Sequence, residues 1–351
     1  MQKILLYGAN GYTGKLIAEM AKDFEITPIL AGRSEEKNKP LAEELGYEWI
    51  VFSLDDANNC DEALAEVEVV LHAAGPYKFT ARPMIEACLR TKTHYLDITG
   101  EIEVFEMAHD LNDEAKNAGI MIMPGTGFDV VPTDCLALYL KNKLPDATQL
   151  TLAFAGSSSP SHGTATTMVE NLGEAGKRRE NGKIIDVPLG EHSMWIPFPG
   201  KKTFAISIPW GDVSTAYYST GIPNIEVFVG FPPSQYKYVK LSRYFGWLLR
   251  TNLIRNYIKK QIKKRPAGPS EAHREKALSL IWGEVKDKTG KRIEARLTVP
   301  EGYKLTATTA LLITQKVLAG SAPVGFQTPA KAYGPDLIME VDGAFREDPI
   351  G

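Results

Sequence analysis

The residues best placed to do chemistry stand at the start of the chain. Gly8, Gly11 and Gly14 follow the apolar run Ile4-Leu5-Leu6-Tyr7 and open an amphipathic run from Lys15 to Lys22. That spacing fits a strand, a tight turn and a helix. A bound dinucleotide needs such a turn. The first glycine lets the chain reverse, the second lets backbone approach the pyrophosphate, and the third lets helix and strand pack closely. The helix N-terminus adds N–H groups and partial positive charge. Gly8, Asn10, Gly11, Tyr12, Thr13 and Gly14 are therefore cofactor-binding candidates. Nineteen residues beyond Gly14, in Ala31-Gly32-Arg33-Ser34, Arg33 stands where a protein selecting NAD usually places a carboxylate. Its guanidinium matches a 2′-phosphate in charge and fork geometry, with Ser34 beside it and Lys37 one turn on. The cofactor expected is NADP(H).

Further along, Ala73-Ala74-Gly75-Pro76-Tyr77 offers small residues that let backbone lie against a nicotinamide ribose. Ala74, Gly75, Pro76 and Tyr77 join the cofactor-binding candidates. Hydride transfer also needs one proton supplied or removed. Between the fourth and fifth expected strands the chain has no Tyr-x-x-x-Lys pair, which argues against the short-chain dehydrogenase mechanism. Proton carriers are sought instead in loops after the strands. Tyr77, Tyr95, Asp97, Asp129 and His162 are the catalytic candidates, with Glu101 and Asp134 eligible by position. Each has a plainer role open to it. Tyr77 can stack on the nicotinamide, Asp97 and Glu101 can cap the next helix, and Asp134 can sit on a helix dipole. His72 lies in an apolar strand and reads as core. The histidines lack ligand spacing, so no metal is expected.

These residues need elements to hold them. Strands are expected at 3–7, 26–31, 48–52, 67–73, 94–98 and 120–123. Helices are expected at 11–22, 35–45, 60–67, 81–91, 103–118 and 131–143. Regular alternation with short connections predicts a doubly wound parallel sheet of Rossmann type, with ligands off the carboxyl ends of its strands. From about Leu150 strand-like runs dominate: 150–155, 203–208, 224–229, 278–285 and 292–299. The last two are joined by the hairpin signal Lys286 to Lys291. An α+β domain with a mostly antiparallel sheet is expected there. A polar loop is expected at 157–161, then a helix start at Gly163, and Thr328 and Pro329 read as a helix N-cap and first turn. The boundaries expected are 1–147 with about 320–351 for the nucleotide domain, and 148–319 for a substrate and dimerisation domain.

At 351 residues, 44% hydrophobic and 24% charged, the chain has material for two full cores. Its net charge of −3 gives no global preference for nucleic acid or membrane. Three scattered cysteines suit a reducing cytoplasm, and the strand begins at once, with no cleavable signal pattern. One segment departs from this balance. Between Glu226 and Glu271 there is no acidic residue and ten basic ones, with Tyr236, Tyr238, Tyr244, Phe245, Trp247 and Tyr257 interleaved. At helical spacing Ile254, Tyr257, Ile258 and Ile262 share one face, opposite Lys259 and Lys263. Residues 236–265 therefore suit either a peripheral contact with an anionic membrane or a helix packed on its own domain.

The stretches GANGYTGKLIA (8–18), ILAGRS (29–34), LHAAGPY (71–77), YLDITGE (95–101), PGTGFDVVPTD (124–134) and GPSEAHR (268–274) resemble the saccharopine dehydrogenase-like oxidoreductases. The resemblance implies a Rossmann NAD(P) domain followed by an α+β domain, and a short branch that includes trans-acting enoyl reductases. True saccharopine reductases have a tighter glycine turn. The resemblance thus implies an NADP-dependent reductase of an apolar enoyl, acyl or lipid substrate. The alternatives are an oxidoreductase acting on an amino acid or imine, and a non-catalytic nucleotide-binding protein at a lipid surface. A homodimer is also expected.

Overall fold

A computed structural model describes residues 3–156 and 158–351. Ser157, in the expected polar loop, lies outside the described residues. Two compact units emerge. The first comprises residues 1–129 and 303–332, and the second residues 130–302 and 333–351.

The first unit is built on a seven-stranded sheet. Its order runs Gly325–Phe326, Met121–Met123, His94–Asp97, Val69–His72, Ile4–Tyr7, Pro28–Gly32, Trp49–Val51. Every pairing is parallel. Its central strands are buried and, but for His72, without charged groups or groups that titrate near neutrality, as a sheet covered on both faces requires. The chain leaves Ile4–Tyr7 toward Pro28–Gly32 on one side and later returns to Val69–His72 on the other. That reversal opens a crevice at the carboxyl ends of the two inner strands, where ligands of doubly wound sheets bind. Register sets Tyr7 beside His72, and His72 beside Asp97, at that edge. The fold class read from the sequence is the one observed. The expected helix 103–118 is two helices, Ile102–Asp110 and Asn112–Ala118.

A long helix absent from the sequence reading, Gly302–Leu318, brings the chain back to this unit. Thr309 Oγ1 donates to Thr126 O at 2.7 Å, and Phe128 N–H donates to Thr306 Oγ1 at 3.0 Å.

The second unit holds a mostly antiparallel sheet. Its path is Ser193–Phe198, Lys201–Ile208, Asn224–Gly230, Gln149–Ala155, Leu278–Lys286, Arg292–Pro300, Phe345–Arg346. One internal pair, Asn224–Gly230 with Gln149–Ala155, is parallel. The hairpin Gly176–Glu180 and Lys183–Val187 joins it off this path, Arg179 pairing with Ile225 of the internal strand Asn224–Gly230. Helix Val131–Lys143 packs on this sheet, not on the first. The division by contacts thus falls earlier than residue 147. The tail also divides differently from the expected 320–351. Residues up to 332 join the first unit, whereas Phe345–Arg346 pairs with Arg292–Pro300.

Candidate nucleotide-binding site and its carboxylate network

Gly8 leaves its strand at φ +90°, and its N–H donates to Ala31 O at 2.8 Å. A Cβ there would lie 2.8 Å from Ala73 and Ala74, across the crevice. A Cβ on Gly14 would lie 2.2 Å from Gly8 O. Strand end and helix therefore approach as closely as only glycine permits. Helix Tyr12–Met20 starts after Gly11, whose lack of a side chain leaves its first turn uncapped by any side chain. Tyr12 packs edge-on against Tyr303, ring centroids 5.0 Å apart.

A cavity of about 160 Å³ opens beside this turn, lined by Tyr7, Gly8, Asn10, Gly32, Arg33, Ser34, Lys37 and Ala74. It gathers Gly8, Asn10, Arg33, Ser34 and Ala74 from the sequence candidates. Gly11, Tyr12, Thr13, Gly14, Gly75, Pro76 and Tyr77 shape the turns around it without lining it. Arg33 and Lys37 are exposed and present two cations to the cavity mouth. Asn38 was not singled out from sequence. It is fully buried, its carboxamide finds no hydrogen-bond partner, and a Cβ on Gly32 would fall 2.7 Å from its Nδ2. Asn38 thus packs directly beneath the backbone that carries Arg33.

The other candidates gather at the carboxyl ends of Val69–His72 and His94–Asp97. Helix Tyr77–Thr91 begins there. The N–H groups of Tyr77 and Lys78 donate to the Glu101 carboxylate at 2.9 and 2.8 Å. Glu101 therefore caps this helix and not the one that follows it in sequence. Tyr77 is buried, and its hydroxyl donates to His72 O at 3.2 Å. Asp97 is fully buried. Its Oδ1 accepts from Thr99 N–H at 2.9 Å and Gly125 N–H at 2.8 Å. Its Oδ2 pairs with the Tyr95 hydroxyl at 2.7 Å, which also meets His72 Nδ1 at 3.2 Å. Burial pushes Asp97 up to about 7 despite those donors, and pulls His72 down to about 3, so the imidazole is neutral.

The tyrosine has one proton for two neighbours. With Asp97 ionised, Tyr95 donates to it and His72 must carry its proton on Nδ1. With Asp97 protonated, the carboxyl donates to Tyr95 and Tyr95 donates to His72, whose proton then sits on Nε2. Nε2 itself is buried without a partner. Asp97 protonation and the His72 tautomer are therefore coupled.

Asp129 is half-buried beside Gly100, where a Cβ would lie 2.5 Å from its Oδ2. Burial pushes its carboxyl up to about 7 as well. His162 lies in the second unit at the start of helix His162–Glu170, with Nε2 bonded to Arg265 O at 2.8 Å. Asp134 is buried in the first turn of Val131–Lys143, where the Ser219 hydroxyl donates to it.

Residues 4–123 match the family model of the saccharopine dehydrogenase NADP binding domain. The first unit carries a saccharopine dehydrogenase-type NADP-binding domain. Among curated relatives, a saccharopine dehydrogenase-like oxidoreductase of Bos taurus is 29% identical over 163 residues, 40% of this chain and 38% of that protein. The matched segment thus spans well under half of that relative's length. A trans-acting enoyl reductase of Mycobacterium leprae is 37% identical over 37% of this chain and 33% of its own. A protein of Mycobacterium tuberculosis named as a candidate enzyme of the same kind is 27% identical over 97% of this chain and 95% of its own. Among solved structures, apo saccharopine dehydrogenase (L-Glu forming) from Saccharomyces cerevisiae covers both chains fully at TM-score 0.66 and 16% identity, a likeness of fold. The structure is compatible with that match: the close approach at Gly8 and Gly14 leaves the turn free of side chains, and Arg33 and Lys37 stand exposed at the cavity it borders.

Proposed function

We propose that the protein is an NADPH-dependent reductase of an apolar enoyl or acyl substrate. One observation carries the cofactor side: the cavity at the sheet's reversal is lined both by Gly8 of the glycine turn and by Arg33, Ser34 and Lys37. NADPH, when bound, supplies the hydride. The chain's own residues must orient the cofactor and manage one proton. Asp129 is the proton donor in this reading. Its carboxyl is half-buried, raised by burial, and near neutrality at physiological pH, as a general acid requires. Asp97, held by two N–H groups and Tyr95, serves as a positioning group with His72 behind it. Glu101 and Tyr77 fix the turn 73–77. The apolar substrate class is supported by the enoyl reductases among the relatives. A second part of the proposal is a peripheral lipid contact through residues 236–265, supported by the exposed aromatics on that segment.

NADPH consumption with a long-chain trans-2-enoyl thioester tests the reading, with a small imino acid as comparison. The enoyl compound should be consumed, and the rate should fall as pH rises through about 7 as Asp129 loses its proton. Asp129→Asn should lower kcat by about 10²-fold and flatten that limb, with NADPH affinity kept. Consumption of the imino acid alone would transfer the protein to amino-acid chemistry. Tight NADPH binding with no turnover of either would contradict a reductase.

A further inference from the structure

The segment 236–265 folds as three short helices, Tyr236–Ser242, Gly246–Leu249 and Asn252–Ile262. On the longest, Ile254, Ile258 and Ile262 turn inward, and the helix packs on His162–Glu170. Arg255 and Lys259 follow them and pair with Glu170. Lys259 is thus part of the fold, a correction to its expected place on a free polar face. Arg243 and Arg250 are likewise committed, to Gly190 O at 2.7 Å and Gly173 O at 3.0 Å.

The outer stripe differs. Tyr257 does not join the isoleucines, because it lies about 100° round the helix from their centre. It is 64% exposed, and Leu253 one turn earlier is 83% exposed. Lys260 and Lys264 continue that stripe, with Lys263 beside it. All three are exposed, and no described residue pairs with their ammonium groups. On the helix just before, Trp247 is 71% exposed, and in the turn that leads into it Tyr244 is 77% exposed. Large apolar and aromatic tips beside free cations are costly to leave in water and match a lipid headgroup layer. The charge is also segregated. A chain of net charge −3 places ten basic residues and no acidic one between Glu226 and Glu271. An anionic surface is the complement of that face. No helix among the described residues is long and apolar enough to cross a membrane, so contact by helices lying in the interface is the geometry available.

We infer that this outer face seats Tyr244, Trp247, Leu253 and Tyr257 in the headgroup region of an anionic bilayer, with Lys260, Lys263 and Lys264 on lipid phosphates. The inference rests on the lipid-contact reading above and narrows it to one lipid charge and one helix face.

Vesicle flotation of the full chain tests it, with phosphatidylcholine alone and with about one-third phosphatidylglycerol. The native protein should float with the anionic vesicles and stay behind with the neutral ones. Its tryptophan emission should shift to the blue, and Trp247→Phe should remove that shift. Reversing Lys260, Lys263 and Lys264 to Glu should cut the bound fraction at least about tenfold. Leu253→Ser with Trp247→Ser should do the same by the apolar route. NADPH binding, whose candidate cavity these residues do not line, should be kept by every variant and reports that they fold. Equal flotation with both vesicle types would overturn the inference and leave lipid contact standing. No flotation of the native protein would overturn both. A fall from dimer to monomer mass on charge reversal, without vesicle binding, would assign the face to a second copy of the chain and overturn the inference.

Discussion

Asp97 concentrates the physical chemistry of the site. It is a fully buried carboxyl whose acidity is weakened to about 7, although two N–H groups and a hydroxyl bond it. In an unfolded chain the same carboxyl titrates near 4. Between those values the folded state holds the extra proton, so stability falls as pH rises from about 4 to about 7. The slope contributed is at most about 1.4 kcal/mol per pH unit. Urea unfolding across that range should show the decline, and Asp97→Asn should remove part of it; a pH-independent native stability would argue against a protonated buried carboxyl. Tyr95→Phe should cost about 1–3 kcal/mol, since it strands Asp97 Oδ2 and His72 Nδ1 together. The sequence offered Tyr95 and Asp97 as candidates because they lie toward the carboxyl edge of an expected parallel sheet. It offered His72 only as core, because nothing in a strand's pattern says which neighbour a buried imidazole will meet. That knowledge comes from register, which sets His72 beside Asp97.

The elements that carry the site were readable where local pattern suffices. Apolar runs followed by small residues and helical spacing mark the strand–turn–helix units of the first sheet. Contacts made far along the chain were not readable. Gly302–Leu318 supplies Tyr303 to Tyr12 and Thr309 to Thr126, from nearly 200 residues away or more. The strands Gly176–Glu180 and Lys183–Val187 are short, the first polar and the second without alternation, so no apolar pattern announced them. Glu101 is the most direct test at this scale. It satisfies two N–H groups at the start of Tyr77–Thr91, and Glu101→Ala should destabilise the protein by about 1 kcal/mol in denaturant unfolding. Glu101→Gln, which keeps an acceptor, should recover most of that. Equal losses for the two would assign Glu101 a charge role instead of a capping one.

At the level of the whole molecule, chemistry and surface belong to different units. The NADP-binding unit holds the glycine turn, Arg33 and the buried carboxylates. The second unit holds His162, tied to a backbone carbonyl, and the basic aromatic face. The sequence shows two patterns, alternation before residue 145 and strand-rich runs after it, but helix Val131–Lys143, read with the first, belongs to the second unit. It placed the tail less well, because a two-residue strand such as Phe345–Arg346 has no signature of its own. The account as a whole depends on Arg33 reading a 2′-phosphate. Calorimetric titration of the native chain and of Arg33→Asp with NADPH and with NADH tests this directly. The native protein should prefer NADPH, and the variant should lose at least about tenfold in NADPH affinity while its NADH affinity holds or rises. Equal losses for both cofactors, or an unchanged preference for NADPH, would contradict it.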